Sequence, residues 1–375
     1  MMIKRSLIKG IQENMFSGKA IFILGARQTG KTTLIREIQK LYKEPSIYLN
    51  CDEPIVHSRL TADVNTALWK QIIGNNKILF IDEAQRIKNI GIKLKLVTDN
   101  LKNVQLVVTG SSSFDLANEI KEPLTGRKWE YFLFPISWGE LKNHQDFLER
   151  AGQLEQRLIY GMYPELITSP GQEIKILNTL SGSMLYRDLL SFRGIRKPDL
   201  LENLLRALAL QVGQEVSFNE LSSLLQVDKN TVITYINLLE QAYIIFRLQP
   251  LSRNIRNEIS TSRKIYFYDN GIRNSLIANF NPLNLRNDVG ALWENFLVSE
   301  RMKYNHYNNK YLNIYFWRTH NRQEIDFIEE YGGKMYAYEF KWGSSRKFRF
   351  PEVLLKTYPV QSTSIINNEN FEKFI

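Results

Sequence analysis

AIFILGARQTGKTT, residues 20–33, runs from an apolar stretch through a glycine-bearing turn into the start of an amphipathic stretch. The apolar run Ala20 to Leu24 predicts a buried strand, and Thr32 to Leu41 predicts a helix. The turn between them fits G-x-x-x-x-G-K-[ST], in the strand-to-helix setting that a phosphate-binding loop requires. Gly25 and Gly30 let the backbone turn tightly enough to aim its N–H groups inward, with the positive end of the helix behind them. Lys31 then neutralises the β- and γ-phosphates, the hydroxyl of Thr32 ligates Mg²⁺, and Thr33 caps the site from the next turn. The expected nucleotide contacts are Gly25, Ala26, Arg27, Gln28, Thr29, Gly30, Lys31, Thr32 and Thr33, with ATP and Mg²⁺ as cofactors.

Outward from this loop the same rhythm repeats. Ile47 to Leu49, Ile78 to Ile81 and Leu106 to Val108 are short apolar runs separated by helical segments, as in a parallel sheet covered on both faces. This α/β domain extends to about residue 143. The run KILFIDE, residues 77–83, is a buried strand ending in two acids. Asp82 is placed to hold Mg²⁺ through its water shell, and Glu83 to orient and deprotonate the attacking water. LVVTGSSS, residues 106–113, is a further strand whose polar tip, Thr109 and Ser111, points to the γ-phosphate or the attacking water. Arg127 is a candidate for stabilising charge in the transition state, in its own chain or in a neighbour's, so a homo-oligomer stays open.

With 375 residues the chain is too long for one core. At 43% hydrophobic and 23% charged residues it falls in the range of folded globular domains. The formal charge of +10, from 49 Lys and Arg against 39 Asp and Glu, suits a polyanionic partner such as DNA, or simply a solvated basic surface. One cysteine, Cys51, and four histidines provide neither an intrachain disulfide nor a zinc-ligand spacing. A cytoplasmic location is expected, and no run of about 18 apolar residues predicts a membrane span.

Between residues 144 and 255 leucines recur at helical spacing, as in DLLENLLRALAL, residues 199–210. Ser217 to Leu225, a turn at residues 226–228, and Asn230 to Glu240 have a helix-turn-helix rhythm. Leu221, Leu224, Val232, Ile236 and Leu239 are expected to be buried, Asp228 to cap the second helix, and IIFRLQPL to supply a wing strand. In a DNA reader Lys229, Asn230, Thr231, Thr234 and Tyr235 would face the groove. A winged helix that packs on protein fits the same residues.

GARQTGKTTL, ILFIDEAQ, LVVTGSSSF, LTGRKWEYFLFPISWGEL, KIYFYDNGIRNSL and EIDF followed by EFK span nearly the whole chain. Together they resemble the bacterial and archaeal P-loop ATPases of the AAA superfamily that carry a DUF4143 carboxyl region. The resemblance implies an ATPase core, a winged-helix segment, and, over residues 256–375, an α/β region similar to PD-(D/E)XK (restriction-endonuclease-like) nucleases. Glu294 on a helix, Asp326 where a strand ends or bends, and Glu339 and Lys341 on the next strand can then converge. Asp326 and Glu339 would bind a second Mg²⁺ or Mn²⁺, Lys341 would orient the nucleophile, and Glu294 would support metal or base. Arg318 and Arg322 would hold a nucleic-acid backbone, and Arg346, Lys347 and Arg349 follow on a basic loop. Two readings stay open: an ATP-driven enzyme acting on nucleic acid, and a nucleotide-controlled switch that binds a protein partner.

Overall fold

The computed structural model describes residues 3–62, 65–110, 123–146, 149–150, 152–183, 197–251, 263–319, 323–343 and 348–375. Ser111, Arg322, Arg346 and Lys347 lie outside the described residues. Two compact units emerge: one comprises residues up to Ile136 together with Gln241–Tyr243, the other Ser137–Glu240 and Ile244–Ile375. No helix among the described residues is long and apolar enough to cross a membrane.

The first unit is built on a five-stranded sheet of β1 (Ala20–Leu24), β2 (Ser46–Asn50), β3 (Ile78–Asp82), β4 (Gln105–Gly110) and β5 (Lys128–Phe132). Every pairing is parallel, and the order is β2-β3-β4-β1-β5. Parallel strands need crossovers that cover both faces, which is why β1, β3 and β4 are buried along their whole length and read as unbroken apolar runs. One face packs Phe22, Leu79, Ile81, Leu106 and Val108 around Trp69. Burial pushes the Cys51 thiol up to about 12, so it stays protonated and inert.

The second unit holds a seven-stranded mixed sheet in the order β12-β11-β10-β9-β7-β8-β6. Its strands are β6 (Glu215–Val216), β7 (Ile245–Pro250), β8 (Arg263–Phe267), β9 (Asn313–Arg318), β10 (Glu324–Tyr331), β11 (Lys334–Phe340) and β12 (Val360–Ile366). The segment read from sequence as a helical middle therefore donates an edge strand, β6, and an inner one, β7, to the carboxyl sheet: β7 pairs with β8 antiparallel and with β9 parallel. Its helix-turn-helix is present as Phe218–Leu225 and Lys229–Gln241, and Asp228 caps the second helix through Thr231 N at 3.0 Å. Leu221, Val232, Ile236 and Leu239 are buried as expected. Two expectations fail here. Leu224 is 62% exposed, and Tyr235 is 5% exposed and faces inward. Leu224 lies at the edge of its helix's apolar stripe, where spacing alone does not fix the side that is covered, whereas Tyr235, three positions after Val232 and four before Leu239, falls within the buried stripe of its helix.

The stretch ending in PISWGEL changes its meaning in three dimensions. It was expected to close the first domain; instead Ser137 opens a helix of the second unit, Trp138–Lys142, with a capping box to Glu140. Trp138 N donates to buried Glu300 at 2.6 Å, and the Lys303 ammonium meets the same carboxyl group at 2.6 Å. The run YDNGIRN is likewise structural. Asp269 accepts from Met162 N and Ile272 N, Asn270 donates to Leu292 O, Arg273 to Ala209 O and Asn274 to Ile159 O. Asp269, Arg273 and Asn274 thereby satisfy backbone groups at helix ends that would otherwise be buried unpaired, and Asn270 ties the run to helix Val289–Tyr307.

Candidate functional site

The phosphate-binding loop lies between β1 and helix Lys31–Leu41, at the carboxyl end of the parallel strands. Gly25 is required for a reason the motif does not state: a Cβ there would come within 2.3 Å of the Leu133 carbonyl oxygen. Gly30 has φ 95° at the helix N-cap, the left-handed conformation that glycine adopts at little cost. Lys31 is 4% exposed and folded back on the loop, donating to Gly25 O at 3.0 Å and Ala26 O at 2.8 Å. Thr29 Oγ1 donates to Ala26 O as well, at 2.9 Å, so the loop is braced from within.

Across the sheet, Asp82 ends β3 with a carboxylate that three hydroxyls contact. Thr32 donates to Oδ2 at 2.7 Å, Tyr48 donates to Oδ2 at 2.6 Å, and Thr109 donates to Oδ1. Burial first, and then the hydrogen bond to Asp82, hold the Tyr48 hydroxyl well above its usual range, so it remains a donor. The Thr32 hydroxyl beside the Asp82 carboxylate is a hard-oxygen pair that fits Mg²⁺, with the remaining positions left to phosphate and water. Thr109 was expected at the γ-phosphate or water. Because β4 lies between β1 and β3, its hydroxyl instead fixes Asp82 and accepts from Glu83 N at 3.2 Å. Glu83 sits at φ 55°, and Gln85 Nε2 donates to its Oε2 at 2.5 Å.

Of the two readings of Arg127, the geometry bears on the one within its own chain. It precedes β5, its carbonyl accepts from Ala20 N at the opposite end of β1, and its guanidinium pairs with Asp99 at 2.7 Å. Five residues of β1 separate it from the loop, about 16 Å at strand rise, so it does not serve the site of its own chain.

Sequence reasoning missed Arg5 and Tyr48. Arg5 is buried, and its guanidinium donates to Thr29 O at 2.7 Å inside the loop and to Phe134 O at 2.6 Å. An isolated arginine ahead of the first strand carries no motif, and only the fold shows that it clamps the loop. Arg5→Met is expected to leave each carbonyl short of a donor at about 1–3 kcal/mol, lowering the denaturation midpoint and weakening ATP binding together. Urea melts and ATP titration check this; unchanged affinity in a destabilised variant would reduce Arg5 to a packing role.

In the second unit, the sequence-assigned acids do come together. Asn295 on helix Val289–Tyr307 exchanges hydrogen bonds with Phe267 N and O, which locks the helix to β8 and turns neighbouring Glu294 toward Lys264 and Tyr266. The register of the β9–β10 pairing shifts between Ile325 and Ile328, the stretch that carries Asp326. Asp326 Oδ2 accepts from Phe340 N at 2.8 Å, beside Glu339 on the adjacent strand. Lys341 pairs with Glu339 Oε1 at 2.5 Å, and Arg318 reaches Glu215 at 3.0 Å, while Arg349 pairs with Glu352. Burial, with Glu294 close by, raises the Asp326 carboxyl well above its usual range; burial also raises Glu339 against the opposing pull of Lys341.

What sequence reading missed is Lys264, which occupies the middle of this cluster at 2.8 Å from Glu294 and 2.6 Å from Glu324. With that ammonium in place the residues do not fit a divalent ion, and among the described residues no group of three or more His, Cys, Asp or Glu side chains is arranged to hold one.

These geometries agree with the comparisons. Residues 17–142 match the family model described as AAA domain. Over those residues the chain is similar to AAA-type P-loop domains. Residues 289–373 of the chain match the domain of unknown function DUF4143, and residues 151–284 the domain of unknown function DUF8612. An uncharacterised protein of Mycobacterium tuberculosis is 27% identical over 344 residues, covering 90% of this chain and 74% of its own length. One of Methanocaldococcus jannaschii is 26% identical over 396 residues, covering 97% and 86%. Among solved structures, the Walker-type ATPase of Pyrococcus abyssi is similar at 17% identity with a TM-score of 0.48, covering 74% of this chain and 96% of that one.

Proposed function

We propose that the AAA-type domain binds ATP with Mg²⁺ and hydrolyses it. The observation that carries this reading is the Thr32 hydroxyl held 2.7 Å from Asp82, with Glu83 on the next residue and the Lys31 ammonium in the adjoining loop. Backbone amides of residues 25–33 and Lys31 bind the phosphates, Thr32 and Asp82 hold the metal, and Glu83 takes a proton from water. Magnesium, when bound, supplies charge stabilisation on the phosphate oxygens. Phosphate release measured with ATP should require Mg²⁺ and stop on chelation; turnover that persists in chelator would remove Thr32 and Asp82 from their assigned roles.

A nucleic-acid partner is a second reading, favoured by the formal charge of +10 and by the exposed Lys229, Asn230 and Thr234 at the start of the second helix of the helix-turn-helix. ATP turnover stimulated by DNA at low salt, and losing that stimulation at high salt, supports it. Turnover indifferent to DNA at both salt concentrations points to a switch that binds a protein partner. Cleavage by a metal ion at Asp326 and Glu339 does not follow from this geometry, because the Lys264 ammonium already stands among the acids of the cluster.

A further inference from the structure

A lysine buried in a sheet ordinarily gives up its proton, because an ammonium group leaves water at great cost. Lys264, on β8 and 1% exposed, is instead surrounded by carboxylates that compensate its burial. Its Nζ stands 2.8 Å from Glu294 Oε1, 2.6 Å from Glu324 Oε1 and 4.0 Å from Asp326 Oδ1. Those carboxylates come from a helix and from β10, before and within its register shift, so they are brought together only by the fold. Tyr266 donates to the same Glu294 oxygen at 2.7 Å and holds it toward the ammonium. Glu339, 4% exposed, keeps a buried Oε2 with no hydrogen-bond partner among the described residues.

We infer that Lys264 is the built-in cation of this acid cluster, standing where a divalent metal would bind between Glu294 and Asp326 and closing a latent metal site. An ammonium and a divalent ion repel each other at such range, so they compete for the same oxygens. Removing the ammonium leaves Glu294, Asp326 and the unpartnered oxygen of Glu339, a set of hard donors suited to Mg²⁺ or Mn²⁺. The arrangement belongs to the second unit and stands or falls independently of ATP hydrolysis by the first.

The test is a Mn²⁺ titration of the nucleotide-free full chain, with free ion read by electron paramagnetic resonance. Wild type is compared with Asp326→Asn, with Lys264→Ala, and with Lys264→Met, which keeps the side chain's length without its charge. Any Mn²⁺ held by the phosphate-binding loop is common to all four. The expected result is no difference between wild type and Asp326→Asn, and a new site in a lysine variant. That site should be at least about tenfold tighter than anything Asp326 contributes in wild type, raise the variant's melting temperature with Mn²⁺, and vanish when Asp326→Asn is added. A wild-type site lost in Asp326→Asn overturns the inference, because metal and lysine would then coexist. Folded lysine variants that gain no site overturn it too. Should neither lysine variant fold, the wild-type and Asp326→Asn curves decide alone: coincidence supports the inference and divergence sinks it.

Discussion

Glu83→Gln is expected to bind ATP as the wild type does and to turn it over more slowly by a factor of about 10²–10⁴, the usual contribution of a positioned general base. The substitution keeps the size of the side chain and an oxygen for Gln85 Nε2, but the amide cannot accept the proton of water. It also spares the backbone: Glu83 sits at φ 55° in the left-handed region, where its N–H is tied to Thr109 Oγ1. A residue held there by its surroundings marks a place where position outweighs comfort. An isotherm for ATP and a single-turnover rate separate the two effects, since a loss confined to the chemical step leaves affinity unchanged. Undiminished hydrolysis would take Glu83 out of the mechanism.

Lys31→Ala is expected to remove ATP binding at ordinary concentrations. In this structure the ammonium donates to two loop carbonyls, Gly25 O and Ala26 O, and it exchanges such neutral partners for phosphate oxygens on loading. Charge-assisted hydrogen bonds contribute roughly 1.5–3 kcal/mol each, so losing two weakens binding by about a hundredfold or more. Because the same group braces the loop, the melting temperature of the variant must be measured alongside affinity. A folded variant with wild-type affinity would show that backbone amides and the helix terminus suffice to hold the triphosphate. Arg5→Met separates the two roles from the other side, since Arg5 acts on the loop through Thr29 O.

Much of the first domain was legible because its information is local. A glycine-rich turn between an apolar run and an amphipathic one has few other readings, and KILFIDE announces a buried strand with acids at its tip. The strand order was not local: β4 lies between β1 and β3, and this changes Thr109 from a phosphate contact into a support for Asp82. Arg127 illustrates the same limit. Its distance in sequence from the loop said nothing about which end of the sheet it would occupy, and the register Ala20 with Lys128 puts it at the far end.

The chain's one-dimensional pattern by itself determined a phosphate-binding loop, a parallel sheet, a helix-turn-helix with Asp228 at its cap, and the candidate acids Glu294, Asp326 and Glu339 of the carboxyl region. Period and spacing suffice for these, since each is set by residues a few positions apart. Only the tertiary structure decided that Arg5 clamps the loop, that Tyr48 and Thr109 share Asp82, and that Lys264 fills the space among Glu294, Glu324 and Asp326. Each of these depends on groups brought together from separate strands and helices, and a buried charge finds its partner by position in space, which no local spacing encodes.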